Sequence, residues 1–264
     1  MNRLPPIDKE RCAAHARRVL ITLSYDGSAY AGWQRQENAV SVQQRVEEAL
    51  LRLTGERVRV TGASRTDAGV HALGQRAHFD TQSRIPAEKF PFALNTCLPR
   101  DIRVLAGQNV PSDFHARFDA RSKCYTYRIH NAPHASALCR NLCAHVPQRL
   151  DLSLMRQSLD ALLGTHDFAA FQASGGTART TTRTLTEARL TQSGPDLCLS
   201  VCGNAFLYNM VRIIAGTLLD IGMGRAEPDA FSRALQSGDR LALGVTAPAR
   251  GLELTEIRYD LPGI

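Results

Sequence analysis

Several things are scarce or missing in these 264 residues, and each omission narrows the reading. No apolar run approaches the roughly 20 residues that cross a bilayer as a helix, so no membrane span is expected. The first 17 residues mix Pro5, Pro6, Asp8, Glu10 and Arg17 without a continuous apolar stretch. That is not how a signal peptide reads, and the expectation is a flexible leader (1–17) on a cytoplasmic protein. Glycine-rich nucleotide motifs are missing too: Gly175-Gly176 is followed by no phosphate-loop lysine, and no GxGxxG opens a helix, which disfavours nucleotide-cofactor enzymes. Lysine occurs only at positions 9, 89 and 123. The remaining cations are arginines, which suit phosphate and base stacking, although a coding bias gives the same ratio.

Cysteine is present but without a framework. Seven residues at irregular spacings, in a chain large enough to need no staples, read as free thiols in a reducing compartment. His130, His134, Cys139, Cys143 and His145 crowd together, yet C-x3-C-x-H fits no standard zinc pattern, and no metal is expected.

What is there is an ordinary folded composition, 44% hydrophobic and 22% charged, at a length that fits two modest domains or one large one. The net charge of +7 favours a polyanionic partner, although a basic surface serves solubility equally well. Its placement is more telling. Residues 114–149 carry Arg117, Arg121, Lys123, Arg128, Arg140 and Arg149 against Asp119 alone, which makes a candidate phosphate-facing stripe.

Alternation of Val19, Ile21, Leu23 and Tyr25 with Leu20, Thr22 and Ser24 predicts a strand ending at Asp26-Gly27. Ser41 and Gln44 form a capping box for a helix that Gly55 stops. Strands follow at 57–62, 75–81 and 101–110, with a weaker helix at 87–97. This order is the split β-α-β pattern of ferredoxin-like domains. It partly returns after residue 113: strand 119–130, helix 151–163, strands 183–192 and 196–203, helices 206–221 and 228–237, and strand 252–259. The expected fold class is therefore α+β, with two ferredoxin-like halves (18–113 and 114–264) sharing a mostly antiparallel sheet.

The segment ASRTDAGVHA (63–72) lies between two expected strands, where a loop can hold side chains over a sheet. If Arg65 to Asp67 is extended, the guanidinium and the carboxylate project to the same side. Spacing alone favours a plainer alternative, an Asp-Ala-Gly turn with a local ion pair. Tyr125 shares a strand face with Tyr127 and Ile129, the pattern of core packing, and Arg212 reads as a surface charge on an amphipathic helix. Trp33, the single tryptophan, is either an RNA contact or a partly buried anchor. Cys198 and Cys202 read as small core residues on one strand.

SRTDAGVHA resembles the active-site loop of the tRNA pseudouridine synthase A family. YDGSAYAGWQRQ (25–36) with SVQ (41–43), DFHARFDARSKCYTYRI (113–129), NAFLYNMVR (204–212) and APARGLEL (247–254) are similar to further segments of that family, in the same order. The resemblance spans roughly residues 18–260. It implies the pseudouridine synthase fold with a central active-site cleft, Asp67 as catalytic nucleophile and Tyr125 as the aromatic packing on the target base. Arg212 would be the cation paired with Asp67, and Arg65 would help to displace the target nucleotide. It further implies a homodimer that needs no cofactor and acts on uridines 38, 39 and 40 of the tRNA anticodon stem-loop. The rival reading is a non-catalytic RNA-binding protein or RNA chaperone on the same scaffold.

Overall fold

The computed structural model describes residues 16–261, so most of the expected leader lies outside the described residues. In chain order the elements are β1 (Arg17–Tyr25), α1 (Val42–Thr54), β2 (Thr61–Gly62), β3 (His71–Thr81), α2 (Phe90–Cys97), β4 (Ile102–Val110), β5 (Ala120–His130), β6 (Ala144–His145), α3 (Leu152–Leu159), β7 (Gly164–Asp167), β8 (Thr182–Ser193), β9 (Asp196–Gly203), α4 (Met210–Gly222), α5 (Ala230–Ser237) and β10 (Leu252–Tyr259). The strands form one sheet in the order β4-β1-β3-β10-β5-β9-β8-β7, with β2 added to β3 and β6 to β5. All pairings are antiparallel except β3–β10 and β5–β6.

The two βαββαβ runs take the same path through this sheet. The first orders its strands β4-β1-β3-β2, and the second β10-β5-β9-β8. They meet where β10 lies beside the start of β3, pairing His71 with Glu253 and Ala72 with Leu254. Helix α1 packs on α2, and α3 on α4. The mixed, mostly antiparallel architecture expected from the sequence is the one observed.

Helix α1 begins where the Ser41 side chain accepts a hydrogen bond from the Gln44 amide and stops at left-handed Gly55. Only half of the capping box forms, because the Gln44 side chain donates to Glu48 one turn on. The strand expected from residue 57 is reduced to Thr61–Gly62. Immediately before it, the Val60 amide donates to Glu47 and the Val60 carbonyl accepts from Gln43, so α1 side chains take the place of a strand partner.

The helix expected from 206 starts at Met210 instead, since Asn209 adopts φ 61° and cannot continue a helix. It is not amphipathic either: among its 13 residues only Arg212 and Asp220 escape full burial. Cys124 and Cys202, opposed in the β5–β9 register, are joined by a disulfide, contrary to the expectation of free thiols throughout. They are 78 residues apart in sequence, and only the register brings them together. Cys97, Cys139, Cys143 and Cys198 are free.

Candidate active site

Register carries a row of residues straight across the centre of the sheet: Tyr25 pairs with Ala72, Ala72 with Leu254, Leu254 with Tyr125, and Tyr125 with Val201. Directly opposed residues project to the same face, so two tyrosines from different halves stand in one buried row. Both hydroxyls point at the loop between β2 and β3. Tyr25 Oη lies 2.7 Å from Thr66 Oγ1, and Tyr125 Oη 2.7 Å from Ser64 Oγ.

The loop is pinned from below and from the side. Buried Gln75 donates to the Ser64 carbonyl and accepts from the Ser64 amide, at 2.7 and 3.2 Å. The Trp33 amide donates to the Thr66 carbonyl, and the Gly69 amide to the Tyr30 carbonyl. Gly32, at φ 89°, passes so close to the Thr66 carbonyl that any side chain would collide with it. Trp33 is 2% exposed and belongs to this clamp; of the two readings of that residue, the anchor holds. Lys123 on β5 closes the other side, its Nζ donating to the Ala63 carbonyl at 2.7 Å. Burial, helped by nearby Arg117, lowers the Lys123 ammonium to about 8.

Alternation along this extended stretch turns Ser64 and Thr66 inward and leaves Arg65 exposed and Asp67 half-buried. Partial burial raises the Asp67 carboxyl above the usual range, and Arg212 acts in the opposite direction. Its carboxylate accepts no hydrogen bond from another described residue and has no salt bridge within the described residues, so the local ion pair of the plainer reading does not form. Arg212 is within electrostatic reach but engaged elsewhere, donating from Nε to the Ala247 carbonyl at 2.7 Å and from Nη1 to Asn209 Oδ1 at 2.8 Å. Nor is it a solvated surface charge, because the helix that carries it is buried on nearly every side.

Tyr125 is buried, and burial, with Asp67 nearby, pushes its hydroxyl up to about 12. Phe206 meets its ring edge-on, with centroids 5.0 Å apart. The structure thus gathers Asp67, Tyr125 and Arg212 from a loop, a strand and a helix, with Arg65 at the rim. Sequence reasoning passed over Ser64, Phe206 and Asn209. Ser64 lay within the quoted loop motif and the other two within NAFLYNMVR, but their roles depend on contacts that spacing does not reveal.

In the cluster of histidines and cysteines from 130 to 145, both strand histidines have other partners. His130 Nδ1 lies 2.7 Å from Asp196, and His145 Nε2 hydrogen-bonds the Ala132 carbonyl. Among the described residues no group of three or more histidine, cysteine or acidic side chains converges as a metal site.

Known proteins resemble this chain over most of its length. The profile of a family described as tRNA pseudouridine synthase matches residues 21–119 and 159–260. The chain is 47% identical over 243 residues to tRNA pseudouridine synthase A of Acetivibrio thermocellus, covering 92% of this chain and all of that protein. It is equally similar, 47% over 247 residues, to tRNA pseudouridine synthase A 2 of Clostridium tetani, covering 93% of this chain and all of the relative. With the loop, the row of tyrosines and the half-buried arginine in place, the chain belongs to the tRNA pseudouridine synthase family, a family of isomerases.

Proposed function

We propose that this protein converts uridine to pseudouridine in tRNA, at positions 38, 39 and 40 of the anticodon stem-loop, as a cytoplasmic homodimer without a cofactor. Halves 18–113 and 114–264 act as the two walls of the RNA site. The observation that carries this reading is the clamped loop, which holds one half-buried carboxylate, Asp67, within electrostatic reach of Arg212 and Tyr125.

The chemistry asks for such a group. The base must leave its sugar, turn and reattach through carbon. The Asp67 carboxylate adds to the sugar or to the base, the bond between N1 and the sugar breaks, and the base rotates. C5 then bonds the sugar carbon, the C5 hydrogen departs as a proton and N1 takes one up, so atoms and electrons balance. Asp67 is released. A base inside a stem must first be flipped out, at a cost of a few kcal/mol, and Arg65 fills the space it leaves. Tyr125 and Phe206 offer the receiving surface, and Arg212 keeps Asp67 ionised in a partly dry site.

Release of tritium from tRNA labelled at uridine C5 tests this directly, because isomerisation must expel that hydrogen to water. Turnover-dependent release is expected. No release from several tRNA sequences would leave only the RNA-binding reading.

A further inference from the structure

The segment between β4 and β5 contains an aromatic that the reaction at Asp67 does not use. Phe118 is 76% exposed, an unusual position for a phenylalanine in a folded chain. It is held in place nonetheless. One face lies on the His115 ring, with centroids 4.2 Å apart and planes 28° from parallel. His115 is in turn fixed from three directions. Its Nδ1 accepts from the amides of Arg117 and Phe118 at 3.2 and 3.3 Å, its own amide donates to Asp119 Oδ2 at 2.7 Å, and His78 meets it edge-on at 5.0 Å. Burial, together with neighbouring Arg18 and His115, drives His78 down to about 4, so the ring beneath the pair stays neutral at physiological pH. The result is a rigid two-ring stack with its outer face open.

The charges around it are equally specific. Arg117, next in sequence to Phe118, is close enough to Arg65 for the two to repel. Among the described residues neither makes a salt bridge to a carboxylate. Arg117 also acts on Lys123, which holds the Ala63 carbonyl at the foot of the Asp67 loop. An open aromatic face beside unpaired guanidinium groups is the combination that single-stranded nucleic acid selects: stacking for a base, cations for its phosphates.

We propose that Phe118, stacked on His115, is a second base-receiving platform, which binds an unpaired nucleotide of the tRNA outside the site of isomerisation while Arg117 holds the adjoining phosphate. This rests on the reading of the chain as a tRNA-modifying enzyme. The platform recognises a flat ring rather than a particular base, so its contribution is to affinity and placement, not to the chemical step.

The test uses the full chain with Phe118→Ala and Phe118→Trp, measuring tRNA binding, kcat and KM for tritium release, thermal midpoint and sedimentation. Stacking on one aromatic is worth about 1–3 kcal/mol per base, which is roughly five- to 150-fold in affinity. Phe118→Ala is expected to raise Kd and KM by a factor in that range, with kcat within about twofold and unchanged melting and sedimentation. Phe118→Trp restores binding. Binding within twofold of the wild type in the alanine variant overturns the platform, even if the wild type releases tritium normally. So does a change in sedimentation, which would make Phe118 a contact between protein copies. If the wild type itself releases no tritium and binds no tRNA, the underlying functional reading fails and the platform with it.

Discussion

Asp67 illustrates how a single residue can work against its own fold. Burial raises its carboxyl, so folding favours the protonated form, and the folded protein is penalised where the group is charged. The penalty is full above the raised folded-state value and fades as pH falls toward the unfolded value of about 3.9. Asp67→Asn is therefore expected to melt above the wild type at pH 7, with the gap closing as the pH approaches 4; a gap that widens on acidification would reverse the sign of this account. Tyr125→Phe removes the hydroxyl that meets Ser64 and keeps the ring. The expected loss is about 1 kcal/mol of stability, read in a denaturant melt, with tRNA binding retained. Collapse of binding would give the hydroxyl, rather than the ring, the larger part.

At the scale of elements, the site depends on where α4 begins. Asn209 in the left-handed region stops the helix from starting earlier and places Oδ1 against the Arg212 guanidinium. Asn209→Gly keeps that backbone and loses the oxygen, whereas Asn209→Ala loses both. The glycine variant should hold its melting temperature and turn over more slowly. The alanine variant should in addition lose about 1–2 kcal/mol of stability. Equal melting temperatures in the two variants would show that the backbone conformation stores no strain.

Sequence and structure part company at such joints. Long periodic stretches were legible: β1, α1, β4, β5, β8, β9 and β10 lie close to where alternation and capping put them. The start of α4 was not, because Phe206 and Leu207 continue an apolar pattern that one αL residue interrupts. β6 and β7 are two and four residues long, too short for any period to register. Arg57–Val60 alternates like a strand, yet the Val60 backbone finds its partners in side chains of α1. Of the candidate site, the motifs named Asp67, Tyr125 and Arg212, which the fold brings near one another. The row that brings the two tyrosines under one loop is a property of register across five strands, which no local pattern encodes.

For the whole molecule, the proposed function sets the basic segment 114–149 against a partner whose charge repeats along its length. Binding through phosphates releases counterions, so affinity for tRNA should fall at least about tenfold between 50 and 200 mM salt. Arg117→Ala should flatten the slope of log affinity against log salt by about one while leaving the fold intact. An unchanged slope would remove Arg117 from the phosphate contacts. The two halves contribute unlike parts to the candidate site, the loop and its glycine clamp from the first, the tyrosine, lysine and half-buried arginine from the second. The parallel junction of β3 with β10 is what brings those contributions together.

The most direct measurement compares Asp67→Asn with the wild type in tritium release from C5-labelled tRNA, with tRNA binding measured on the same preparations. The amide keeps the shape of the carboxylate and cannot act as the nucleophile. The predicted result is no release above background with binding within a few-fold of the wild type. Release at the wild-type rate would contradict the assignment of the reaction to this carboxylate.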